Sequence, residues 1–187
     1  MRRVTLSAVL LLLVAGAVSA SSVEERIAES RMAVKEFAGE LKGELLAAMK
    51  GGGPVNAVTV CSLKAPAIAD RISKSKGWEL GRTSLRTRNP NNAPDGWEKK
   101  TLEAFEERRK RGEDTGKMEY SEVVNEGGKS LFRYMKSIPT GELCLTCHGK
   151  ELVPGLAAKL KELYPEDRAT GFSLGDIRGA FTITQPM

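Results

Sequence analysis

The 187 residues carry 29 Lys and Arg against 24 Asp and Glu, a formal charge of +5, with aromatic residues at only 5%. The basic residues are interleaved with Glu, and the rings are too few to make stacking platforms, so no nucleic-acid partner is expected. A chain of this length, with no internal repeat and no low-complexity linker, suits one domain around one core.

The chain begins MRRVTLS, continues through AVLLLLVAGAV and reaches V-S-A before SSVEE. A charged start, a short apolar stretch and small residues at a cleavage point make a secretory signal peptide. Cleavage is expected after Ala20, leaving residues 21–187 as a single exported, periplasmic domain. The apolar run from Ala8 to Val18 is well short of the roughly 20 residues a spanning helix needs, so no permanent membrane span is expected. Loss of Arg2 and Arg3 lowers the charge from +5 to +3. In an oxidising compartment an odd number of cysteines matters: with three, one thiol has no partner within the chain.

From Ser22 to Lys50, Val23, Ile27, Val34, Phe37, Leu41, Leu45 and Met49 recur at helical spacing, and Ser22 with Glu25 has the form of a capping box. Gly51, Gly52 and Gly53 stop this helix. Pro54 and Pro66 read as first-turn prolines of two shorter helices ending at Gly77, with Cys61 near the end of the first. The stretch WELGRTSLRTR predicts a strand, followed by turn formers in NPNNAPDG. Asp95 and Glu98 fit an N-cap and its reciprocal partner, opening a helix that carries Trp97, Thr101 and Phe105 and ends near Gly112. KMEYSEVVNEGGKSLFRYMKSI predicts two strands joined at Asn125 to Gly128. Pro154 to Tyr164 predicts a short helix, and GDIRGAFTITQP a closing strand. The fold class is therefore α+β: a long N-terminal helix, then an antiparallel sheet with helices on one side.

Between hairpin and last helix lies GELCLTCHGKEL, which holds Cys144, Cys147 and the only histidine, His148. Cys-x-x-Cys-His is the attachment sequence of c-type haem. About one helical turn separates the sulfurs, so both reach the vinyl groups on one porphyrin edge, and the following imidazole takes the iron. A thioredoxin-like redox pair would sit near a βαβ pattern, which is missing here. Zinc on Cys61, Cys144, Cys147 and His148 would ask adjacent residues 147 and 148 to aim at one ion in a tetrahedron. A Cys144–Cys147 disulfide leaves the histidine unexplained. One covalent haem c through two thioethers is the expected cofactor.

With His148 spent, the opposite axial position falls to a methionine (Met32, Met49, Met118 or Met135), to Cys61, or stays open. The residues themselves do not separate these. Arg82, Arg86 and Arg88 share one face of the predicted strand at even spacing and are candidates for the haem propionates, or for a solvated edge.

Four stretches, VCSLKAP, GRTSLRTRNPNNAPDGWE, CLTCHG and YPEDRATGFSLGDIRGAF, occur in this order from about residue 58 to residue 181. Together they resemble a family of exported c-type haem domains with a PAS-like fold, long catalogued as a domain of unknown function. The resemblance implies a PAS-like sheet, haem at the CxxCH segment, and Cys61 as the second iron ligand opposite His148. A thiolate would hold the iron ferric and the potential low. The expected function is low-potential electron transfer or redox poising with a separate redox partner. The alternative is a haem-based redox or gas sensor that signals to a separate partner. An enzyme is not expected, since the sole imidazole is taken and no paired carboxylates stand out.

Overall fold

The computed structural model describes residues 22–187, so the signal peptide, the cleavage point and the apolar run lie outside the described residues. Among the described residues no helix is long and apolar enough to cross a membrane.

Helix α1 (Val23–Lys76) starts with the expected capping box: the Ser22 hydroxyl accepts from the Glu25 amide at 3.2 Å and the Glu25 carboxylate from the Ser22 amide at 2.8 Å. Its dihedrals break at Gly52 and Gly53, where Gly53 takes a positive φ of 69° that only glycine adopts without strain. The chain reverses there. Arg71 pairs with Glu36 and Glu40, and Lys64 with Glu44 at 3.4 Å. In an unbroken helix residues 36 and 71 would stand about 50 Å apart at 1.5 Å per residue. So α1 is an antiparallel hairpin of two limbs, 23–51 and 54–76, and the Asn56 side chain ties its tip to the Ala48 carbonyl at 3.0 Å.

The two shorter helices expected after Pro54 are one. Pro66 sits inside the second limb, where it costs one backbone bond but does not end the helix. The apolar residues Ala65, Ile68 and Ile72 around it are buried against the rest of the fold and hold the limb in place.

Strands β1 (Glu79–Thr83), β2 (Glu119–Glu126), β3 (Lys129–Pro139) and β4 (Ile177–Pro186) form one antiparallel sheet in the order β1-β4-β3-β2. The β2–β3 turn is two residues, Gly127 and Gly128, both at positive φ, which matches the twist of a tight hairpin. Phe132 and Tyr134 of β3, Phe181 and Ile183 of β4 and Leu80 of β1 pack against Ala33, Val34, Phe37, Ile68 and Ile72 of α1. Helix α2 (Gly96–Lys110) begins with the predicted Asp95–Glu98 box. Its Leu102 and Phe105 meet Met135 and Ala180, which alternate with the first set and so face the other way.

The sheet is therefore covered on both faces, where helices on one side were expected. The reason is that β3 and β4 are apolar at consecutive positions, as a doubly buried strand must be. A buried arginine completes the second face. Arg133, 4% exposed, lies against Asp95 at 2.7 Å, Glu126 at 3.4 Å and Glu98 at 3.5 Å, over the Trp97 ring.

The strand expected over WELGRTSLRTR stops at Thr83. Ser84 turns the chain: its hydroxyl accepts from the Arg86 amide at 3.1 Å and donates to the Arg178 carbonyl at 2.8 Å. Arg86 and Arg88 thus lie beyond the strand, and the even-spacing argument that put them on one face with Arg82 does not hold.

Candidate functional site

Helix α3 (Glu142–His148) is two turns long and has no side-chain cap at its start. Its position is set from outside. The His148 carbonyl accepts from the Phe172 amide at 2.9 Å, and the Gly149 carbonyl from the Gly171 amide at 2.8 Å. Arg88 donates through Nη2 to the Cys147 carbonyl and, through Nε, to Asp167 at 3.0 Å. Asp167 in turn accepts from the Ala169 amide at 2.8 Å. This makes Arg88 a strut between α3 and the segment 167–172, and its ion pair with Asp167 is nearly closed to solvent.

Cys144, Cys147 and Cys61 are all free thiols and half-buried. Cys144 and Cys147 are three apart on α3, on one face. Cys147 packs on Val58 of the second α1 limb and on Leu156 and Leu160 of α4 (Pro154–Leu163). Cys61 follows Val58 by three residues and so lies on the same side of that limb. Burial pushes the Cys61 thiol up, and Arg82 pulls it back. Cys147 is raised by burial as well, against Arg88, with Cys61 among its smaller influences. The hairpin thus brings the isolated upstream cysteine to the α3 cysteines. Of the methionines weighed as ligands, Met118 and Met135 are buried on the α2 side of the sheet and Met32 is 61% exposed, so none of these three belongs to the group.

His148 donates from Nδ1 to the Ala169 carbonyl at 2.6 Å, because a carbonyl only accepts. That bond fixes the tautomer and leaves the Nε2 lone pair for another partner. Phe172 stands edge-on to the ring at 6.2 Å. Burial, helped by the cations of Arg178, Arg88 and Arg82, pushes the imidazole pKa down to about 2, so the ring is neutral at physiological pH. A neutral imidazole is the form that binds a metal.

Arg178 of β4 was not marked by sequence reasoning. Its Nε lies 3.2 Å from His148 Nδ1 and 3.3 Å from Nε2, and since Nδ1 carries its proton toward Ala169, only Nε2 has a lone pair to accept from it. Burial and the neighbouring Arg88 and Arg82 lower its pKa to about 9. Gly179 seats it: a Cβ there would fall 2.4 Å from the Thr83 carbonyl oxygen, so only glycine lets β1 close on β4 at this point. The other missed residues are Asp167, Ala169 and Phe172. The signal for them was present in YPEDRATGFSLGDIRGAF, where an acid and an arginine interrupt small and apolar residues, but their partners lie far away in sequence.

Three arginines, Arg178, Arg88 and Arg82, thus act on His148 and Arg86 flanks the neighbouring Phe172; of these four, only Arg88 forms an ion pair among the described residues. Arg86 lies over Phe172 at 4.1 Å and donates to the Arg168 carbonyl at 3.3 Å. Arg82 lies over Phe37 at 5.7 Å. Arg82 and Arg178, partly buried and with no acid paired to them, leave a surplus of positive charge beside His148 that suits an anion. Among the described residues, no three His, Cys, Asp or Glu side chains gather as a metal-holding cluster.

Comparison with curated proteins gave no match. Among solved structures, the crystal structure of the cyanobacterial heme protein Tll0287 is similar, at a TM-score of 0.68 and 25% identity, covering 87% of this chain and 96% of that one. The Tll0287-like family matches residues 5–186. With the match running over nearly the whole sequence, and the same α+β arrangement seen in a solved relative, the chain belongs to the Tll0287-like family.

Proposed function

We propose that this protein is an exported haem protein: one haem c joined through thioethers to Cys144 and Cys147, with His148 and Cys61 as axial ligands. The observation that carries the reading is the meeting of two free thiols one turn apart with a neutral imidazole whose Nε2 meets only the Arg178 N–H and no acid or backbone group. The similarity to a heme protein of known structure supports it. The surplus guanidinium charge would suit the two carboxylates of a haem, and the group would bring its own nitrogen ligands, so a dense protein metal cluster is not required.

When bound, haem takes up and gives back one electron. The chain's part is to orient and to exclude. The Ala169 carbonyl fixes the imidazole, Phe172 stands at its edge, and the α1 hairpin brings Cys61 to the α3 cysteines, where it would be the second residue to hold the iron. An anionic sulfur stabilises ferric iron, so the working role is low-potential electron transfer to a separate redox partner. No residue is assigned a catalytic task.

A sensing role has one observation in its favour. Pro66 has no amide hydrogen for the Ser62 carbonyl, one residue after Cys61, so the turn carrying the sulfur is short of a helical bond. In a sensing role, Cys61 on this softened turn would be the residue free to move.

The test is expression in a host equipped for cytochrome maturation. The expected product is coloured and has the mass of the mature chain plus one haem. Cys61→Ala should keep that mass but change the ferric spectrum. Colourless protein with the bare mass would overturn the haem, and an unchanged Cys61→Ala spectrum would remove the sulfur from the iron. Carbon monoxide binding after reduction would favour sensing over electron transfer.

A further inference from the structure

We propose that Arg178 is the haem-carboxylate anchor of this site, with Arg82 as the second cation, and that Arg88 is a structural strut that takes no part in it. The proposal rests on the haem reading given above and adds the residue that seats the group.

His148 has committed Nδ1 to Ala169, so a metal has only Nε2 to bind. Arg178 Nε lies 3.3 Å from that nitrogen. A metal and a cationic donor exclude each other at one lone pair, so the guanidinium must give up this edge and needs an acceptor elsewhere. Its remaining bonds go through Nη1, to the Ser84 hydroxyl at 3.2 Å and the Arg86 carbonyl at 3.3 Å. Those two contacts hold the arm of the side chain in place. Nη2 has no hydrogen-bond partner among the described residues, and neither does the charge have a carboxylate. A planar fork with a free edge, beside the metal-binding nitrogen, is the shape that receives a carboxylate in two-point fashion.

The neighbouring arginines differ in ways that decide their roles. Arg88 spends Nε on Asp167 and Nη2 on the Cys147 and Ala169 carbonyls, with its charge matched. Arg86 stacks on Phe172 and donates Nε to the Arg168 carbonyl. Arg82 forms no side-chain hydrogen bond or ion pair among the described residues and is close enough to Cys61 to act on its thiol. It is thus the free cation on the Cys61 side, as Arg178 is on the His148 side.

The experiment uses the mature full-length chain with haem attached, comparing wild type with Arg178→Ala, Arg178→Lys and Arg88→Ala. Three readings are taken: intact mass, resonance Raman of the propionate bending modes, and midpoint potential. Arg178→Ala should keep its covalent haem and its low-spin ferric spectrum, shift the propionate mode, and be about tenfold harder to reduce, which for one electron is 59 mV downward. Arg178→Lys should recover most of the potential, because charge returns, but leave the Raman mode shifted, because the fork does not. Arg88→Ala should lower the yield of haem-loaded protein and leave the mode in place. If Arg178→Ala does not accumulate, Arg178→Gln gives the same readings with a bulkier neutral side chain. Wild-type potential and Raman bands in the neutral variant would overturn the assignment, as would a band shift seen for Arg88→Ala alone. Wild-type protein without a covalent haem would instead overturn the function proposed above, and its intact mass reports that failure separately.

Discussion

Replacing Asp167 by alanine isolates the one acid at the site. Its Oδ2 accepts from Arg88 Nε at 3.0 Å and its Oδ1 from the Ala169 amide at 2.8 Å, while the paired side chains are only 12% and 10% exposed. Deleting one partner of a buried pair leaves the other charge uncompensated, at a cost of about 3–5 kcal/mol. Here the cost falls toward the upper end, because Arg82 and Arg178 already crowd the same cleft without acids. For a domain of this size about 5 kcal/mol lowers the melting temperature by roughly 10–20 °C. Asp167→Asn keeps an acceptor for the Ala169 amide but loses the charge, and should fall between the two. Thermal unfolding followed by circular dichroism reads the difference. The Arg88→Ala, Asp167→Ala double variant should be little worse than Asp167→Ala alone, since the pair acts as a unit. An Asp167→Ala variant melting within about 2 °C of wild type would refute the claim that this pair holds α3 in place.

Phe37 is 1% exposed and edge-on to Phe181 at 5.5 Å, so Phe37→Ala should cost about 3–5 kcal/mol, read as a lower urea midpoint at unchanged slope. Gly149→Ala would put a Cβ 2.5 Å from the Leu145 carbonyl oxygen. Relieving that clash should cost about 1–3 kcal/mol and disturb the end of α3, so under the proposed haem attachment the loaded fraction, measured by intact mass, should fall. Glu119 accepts from Arg31 and from the Tyr134 hydroxyl, and the Arg31 bond, more than any other influence, holds its carboxyl below the ordinary range. Its folded pKa is below its unfolded one, so its contribution is whole above about pH 4.3 and is lost as pH falls through the lowered value. Acid unfolding of Glu119→Gln should therefore be shallower than that of wild type.

Local signals in the sequence carried a large part of the fold. Ser22 with Glu25, Asp95 with Glu98, the glycines at 51–53 and the Gly127–Gly128 turn each act within a few residues, and each is where the pattern puts it. Tertiary packing decided the rest. Pro66 reads as a helix start, yet the limb runs through it because its neighbours are buried. β1 reads as a longer strand, yet Ser84 diverts its hydrogen bonds to Arg86 and to a residue 94 positions away. The faces covered by helices were also out of reach, since apolar residues on both sides of β3 and β4 fit more than one arrangement. At the site, the CxxCH spacing singled out Cys144, Cys147 and His148, and the structure carries all three on α3. Arg178 and the Arg88–Asp167 strut were not legible, because each depends on contacts made across 30 or 79 residues.

β4 comes last in the chain but lies between β1 and β3, with Glu79 opposite Thr184 and Leu131 opposite Pro186. Until those final residues are delivered, β1 has no neighbour and the sheet is two separate pieces, so a chain emerging amino end first exposes α3 while this gap is open. The sulfurs of Cys144 and Cys147 are then reachable from solvent before Arg178 is drawn across His148. Assembly order alone grants these two sulfurs an interval of fuller access than the half-buried positions they take in the finished molecule.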